Sequence, residues 1–185
     1  VTPGRRRFAG LALLGVVVGV ALLAWSQPWF VLTLDVEHVA RGDVASPALP
    51  PLALATLAAG AALALAGAVF RRILAVLIAL LGVCVLAVSI LSLSDPVAAS
   101  MTVVSDATGI VGEGAADLVQ AVAVTGWPWV AVGAGIAQIL VALGILVSAG
   151  SWPAQSRRYS SSRVAAGEPW DALSDGADPT ADDPR

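Results

Sequence analysis

The residues able to do chemistry are few, and their spacing assembles no reaction. Asp35, Glu37, His38 and Asp43 crowd one short segment that holds the chain's single histidine. Carboxylates and an imidazole can ligate a metal, but the spacings that build such sites are missing. His38 is therefore read as a solvated loop residue, and no metal is expected. Cys84, the single cysteine, lies near the middle of an apolar run. An apolar setting keeps a thiol protonated and inert, and a lone cysteine forms no internal disulfide. There is no H-E-x-x-H, no G-x-S-x-G, no P-loop and no dinucleotide fingerprint. The chain is read as a non-enzyme without catalytic residues or cofactor.

What remains is packing chemistry. Gln138 sits at the centre of the last apolar run. An unpaired amide in hydrocarbon costs on the order of several kcal/mol, so Gln138 must bond to a neighbouring helix. Helix-to-helix bonding is the leading reading, with a transport role second. Gly15-x-x-x-Gly19 offers a small-residue face for close helix contact, within the bundle or between subunits. Intramembrane carboxylates, which proton-coupled carriers usually need, are missing, which argues against an ion-driven pump built from this chain alone.

The elements that must position these residues are four uncharged apolar stretches at 8–25, 49–70, 73–94 and 127–149. Each is long enough to cross a hydrocarbon core of about 30 Å at about 1.5 Å per helical residue. Composition agrees: 58% of the 185 residues are hydrophobic and 12% charged, against roughly 25% charged in soluble domains. The expected fold is an all-α membrane protein with four transmembrane helices. It comprises a membrane domain over 1–153 and a disordered tail over 154–185.

The charges orient it. Arg5–Arg7 precede the first stretch, Arg71–Arg72 are read as the whole turn between the second and third, and Arg157–Arg158 follow the fourth. Arginines close to a membrane stay on the cytoplasmic side, so both termini are expected there, in the inner membrane. Trp25, Trp29, Trp127 and Trp129 at the outward ends, and Trp152 and Tyr159 at the inward ends, are read as interfacial anchors rather than stacking platforms. Arg5-Arg6-Arg7-Phe8 also fits a twin-arginine leader, but the apolar run is long and no A-x-A site precedes Trp25. An uncleaved helix is expected. No basic patch beyond the membrane boundary points to nucleic acid.

In the first outward loop, Phe30, Leu32, Leu34 and Val36 alternate with Val31, Thr33, Asp35 and Glu37. That period of two predicts a strand over 30–37, followed by a turn at Gly42-Asp43 and paired with 100–105. In the second loop, Ala115, Leu118, Val119 and Val122 recur at helical spacing, predicting an amphipathic helix over 113–123. The Val-Ala-Val-Thr run there is equally readable as a strand entering Gly126. After Trp152-Pro153 the chain turns polar and small, with Trp170 and Leu173 one helical turn apart.

Trp152-Pro153, Arg158-Tyr159, Trp170-x-Ala172-Leu173, Gly176-x-Asp178-Pro179-Thr180 and Thr125-Gly126-Trp127-Pro128-Trp129 together resemble a known group. It is the actinobacterial tryptophan-biosynthesis-associated membrane protein family, and the likeness runs over essentially the whole chain. The resemblance implies a four-helix inner-membrane protein with a genomic link to tryptophan synthesis. It transfers no catalytic or binding residue.

The expected function is a membrane adaptor or accessory protein. The bilayer holds the helices, and Trp170, Leu173, Asp178, Pro179 and Thr180 dock a protein partner. A homo-oligomer is also considered. The alternative is a component of a transporter for tryptophan, an aromatic precursor or another small hydrophobic molecule.

Overall fold

The computed structural model describes residues 3–110 and 113–148, all within one compact unit, Val1–Trp152. The expectations for the tail over 154–185, and for Trp152, Tyr159, Trp170, Leu173, Asp178, Pro179 and Thr180, lie outside the described residues.

The bundle is built from α1 (Pro3–Trp25), α3 (Leu49–Leu65), α4 (Ala68–Ser94) and α8 (Trp127–Ser148). Three helices are long and apolar enough to cross a membrane: Phe8–Trp25 within α1, α4 and α8. The fourth, α3, is apolar but shorter, with 17 residues. Packing closes a ring: α4 on α8, α8 on α1, α1 on α3 and α3 on α4. The interior is lined mostly by small residues, among them Ala59, Gly82, Ala131, Gly135 and Ala142, while Leu54, Leu80, Ile136, Leu140 and Val147 face outward. That pattern suits lipid as solvent, where small side chains let backbones approach and large apolar ones meet acyl chains.

The hairpin between α3 and α4 differs from expectation. The second apolar helix ends at Leu65, not Phe70, and the third begins at Ala68, not Ile73. Arg71 and Arg72 therefore lie in the first turns of α4, and the turn is Ala66-Gly67. Ala66 is extended, and Gly67 caps α4 with ψ 173°, its carbonyl accepting from the Arg71 N–H at 2.9 Å. Arginine is a good helix former and glycine a poor one, so the break falls on glycine. The buried Arg71 guanidinium also donates to the Ala66 carbonyl at 3.1 Å, satisfying one of the acceptors a helix end leaves open.

At the far end of the bundle sits a small lobe. It holds β1 (Pro28–Thr33), β2 (Glu37–Arg41), a short α2 (Gly42–Ala45), α5 (Pro96–Ala99), α6 (Met101–Thr108), α7 (Glu113–Ala116) and β3 (Ala121–Val124). The strands form one antiparallel sheet in the order β2-β1-β3. The alternation over Phe30, Leu32 and Leu34 does set the buried face, but Val36 is exposed. The strand expected over 30–37 is cut by a turn in which the Leu34 N–H donates to the Val36 carbonyl, so it returns as β2. The turn expected at Gly42-Asp43 is a helical turn instead.

The expected partner, 100–105, is not a strand. Asp95 accepts from the Ala98 N–H at 2.9 Å and Pro96 opens α5, so the chain leaves α4 already capped for helix. It ends at Gly109, whose φ of 69° is a left-handed cap most side chains avoid. The true third strand is β3. Of the two readings open for 113–123, the strand leading into Gly126 is the one adopted, and helix survives only as α7.

Glycines separate into two classes. A Cβ on Gly135 would lie 2.9 Å from the Leu86 backbone nitrogen, and one on Gly82 would lie 2.9 Å from Ile139 Cγ1. Around Gly133 nothing lies within 4 Å. Gly135→Ala is accordingly expected to cost about 1–3 kcal/mol by overpacking, read as reversible unfolding of detergent-solubilised protein. Gly133→Ala should cost nothing. Equal effects would contradict the α4–α8 contact.

Candidate functional site

The polar site of the bundle is built from the lone mid-span polar side chains of two helices. Thr56 is the only hydrogen-bonding side chain in α3, and Gln138 is the one at the middle of α8. Both are buried, Gln138 at 2% exposure. The Gln138 amide Nε2 donates to Thr56 Oγ1 at 2.9 Å and to the Ile78 carbonyl of α4 at 3.1 Å. Thr56 Oγ1 in turn donates to the Leu52 carbonyl at 2.9 Å, so a lone pair remains for the amide. One side chain thus ties three helices. Gln138 is the residue singled out from the sequence for helix packing, and the structure places its amide at these two acceptors.

Glycine makes the bond reachable. Gly82 lies one turn after Ile78, and a Cβ there would meet Gln138 Cβ at 3.3 Å. Gly15 and Gly19, the pair singled out from sequence, do not play this part: nothing lies within 4 Å of a Cβ on either. Their face is open on the bundle exterior. The close-packing glycines, Gly82 and Gly135, stand outside any G-x-x-x-G pattern and escaped the motif. Thr56 could have been found as the sole polar residue of its apolar run.

The tryptophans divide. Trp129 is 62% exposed on α8, as a membrane-facing ring would be. Trp127 and Trp25 are half-buried, the Trp25 indole N–H being enclosed without a partner among the described residues. Trp29 is wholly buried and is not a surface anchor. Its ring meets Phe30 edge-on at 6.3 Å, and its Nε1 donates to the Ala24 carbonyl at 2.8 Å, closing the C-terminus of α1. Gly42 lets this happen, since a Cβ there would strike the Trp25 carbonyl oxygen.

Two further bonds fasten lobe to bundle: Ser92 of α4 donates to the Ala45 carbonyl at 2.7 Å, and Arg41 donates to the Ser26 carbonyl just past α1. Within the lobe, Thr125 donates to the Pro28 carbonyl at 2.7 Å, joining the residue after β3 to the start of β1.

Asp35, Glu37, His38 and Asp43 are not drawn together: no group of three metal-ligating side chains occurs among the described residues. Cys84 lies exposed on the outer surface of α4, so any apolar surroundings there come from lipid rather than from the protein interior.

The triad generates a measurable coupling. A double-mutant cycle of Gln138→Leu with Thr56→Val should give about 0.6 kcal/mol and at most about 1.7, the average and the maximum of such cycles for interhelical bonds in a membrane protein. Additive unfolding energies would mean the bond contributes nothing.

The family model described as tryptophan-associated transmembrane protein matches residues 10–180. No curated protein and no solved structure matches the chain. With apolar spans, an outward-facing surface of large aliphatic side chains and a match over nearly the whole length, the chain is a multi-pass membrane protein that belongs to the tryptophan-associated transmembrane protein family.

Proposed function

We propose that this protein is a non-enzymatic adaptor or accessory protein of the inner membrane, serving tryptophan biosynthesis by holding a cytoplasmic partner. The observation that carries the reading is how the buried polar groups are used. Gln138 and Thr56, at mid-bundle depth, are spent on bonds between helices, which is the chemistry of an anchor. The family description supplies the association with tryptophan.

In this reading α3 is the fourth span. Its 17 residues meet the lower limit of about 17–25 for a crossing, and it carries no charge. Four crossings with arginines flanking one face put both termini in the cytoplasm. The tail around Trp170, Leu173, Asp178, Pro179 and Thr180 is then the docking segment, an aromatic anchor in acidic, polar sequence suited to folding on a partner. A photo-cross-linker at position 170, in cells, should capture a specific protein, and deleting 164–185 should abolish the phenotype. No captured protein and an unaltered phenotype would end the proposal. So would modification near Tyr159 by a reagent that cannot enter intact cells.

A second reading draws on the seam between α1 and α8. Two apolar grooves of about 330 and 350 Å³ lie along it, one beside Gly10 and Gly144, the other beside Val20 and Gly133. They would admit a small hydrophobic molecule, and transport by so few helices needs a second copy, for which the open Gly15–Gly19 face is suited. Gln138→Leu or Gly19→Leu should then change tryptophan flux at constant protein abundance. Unchanged flux in both variants and in a deletion strain removes this reading.

A further inference from the structure

The end of the bundle opposite the lobe places large exposed apolar side chains beside a charge. Leu65, the last residue of α3, is 83% exposed, and Val69 and Phe70, at the start of α4, are 70% and 69% exposed. Arg72 is exposed as well, and it follows them along a helix that runs from this tip toward the lobe. The Arg72 Cα lies only about 3 Å further along α4 than that of Phe70, and helical side chains lean toward the N-terminus, so its side chain extends back beside the collar of large apolar residues. Arg71 turns inward to the Ala66 carbonyl, whereas Arg72 makes no hydrogen bond to any described residue.

Helix length fixes the depth. The 27 residues of α4 span about 40 Å, and a hydrocarbon core of about 30 Å takes about 20 of them. Asp95 caps the lobe end of α4, so Ser94 marks one boundary and the other falls close to Leu74. Arg72 and the apolar side chains around it then stand together in the interfacial zone, within reach of lipid phosphates. In bulk water the collar would leave three large apolar side chains hydrated. At the bilayer interface it is covered by lipid, and the charge beside it meets phosphate.

We infer that the α3–α4 tip is an anionic-phospholipid site, with Arg72 binding the headgroup phosphate and Leu65, Val69 and Phe70 seating the lipid around it. Charge selects the headgroup, and the collar selects a lipid over a free anion. This inference is independent of the adaptor reading, because it needs only a membrane-embedded bundle.

The test uses the full chain in nanodiscs of mixed phosphatidylglycerol and phosphatidylcholine, with lipids retained after detergent extraction counted by mass spectrometry. Phosphatidylglycerol should be enriched over its bulk share. Arg72→Gln should cut that enrichment about fivefold, the weight of one basic residue at an anionic surface. Arg72→Lys should keep most of it, and Phe70→Ala should reduce it with Arg72 intact. Equal enrichment in Arg72→Gln and the unaltered chain overturns the site. So does full displacement of the lipid by inorganic phosphate, since a free anion would then suffice. If Arg72→Gln does not fold, unchanged enrichment in Phe70→Ala overturns it equally.

Discussion

The close approach of α4 and α8 is the contact on which the other helices depend. At Gly82 and Gly135 the facing atoms already stand where a side chain would begin, so the two backbones touch without intervening bulk. In lipid no hydrophobic force drives helices together, and such contact supplies the dispersion that does. It also brings the Gln138 amide within reach of the Ile78 carbonyl, from which the same amide extends to Thr56 on α3. Widen the α4–α8 seam by one methyl group, and the bond that ties in α3 loses its geometry.

The lobe is held by a different device. The strands β1 and β3 continue almost directly from α1 and into α8, so pairing them fixes how far apart those helix ends can stand. Trp29, Phe30, Leu32 and Leu34 form one core with Ala21 and Ala24 of α1 and with Ala131 and Ala134 of α8. The lobe is therefore the continuation of the bundle's packing beyond the apolar helices, where aromatic and branched side chains replace glycine and alanine. At the opposite end the described residues offer a two-residue connection and an arginine capping α3, and no such lobe among them.

Much of this was readable in one dimension. Long uncharged runs gave the helices within a few residues, because hydrocarbon tolerates no unsatisfied backbone and only helix supplies the bonds within a segment. The period-two pattern at Phe30, Leu32 and Leu34 gave the buried face of β1. Its partner is β3 and not 100–105, which carries strand-forming side chains yet continues in helix from the Asp95-Pro96 start of α5, the Val104 N–H bonding back to the Ser100 carbonyl. Trp29 was misread as a membrane anchor because composition cannot tell a ring facing lipid from one facing protein. Arg71–Arg72 resemble a turn in sequence because charge between two apolar runs also satisfies the topology rule, whereas the backbone breaks at Ala66-Gly67 before them.

What the sequence determined by itself is the solvent and the inventory: apolar helices without charge, a single glutamine in the middle of the last, and arginines gathered at helix ends. Those follow from local composition, which the bilayer reads segment by segment. Only the tertiary structure decided which glycines touch another helix, which hydroxyl receives the Gln138 amide, and which strand completes the sheet. Each is a pairing between residues far apart in the chain, such as Thr56 with Gln138. Pairings of that kind depend on rotation and depth of one helix against another, quantities that no single segment carries.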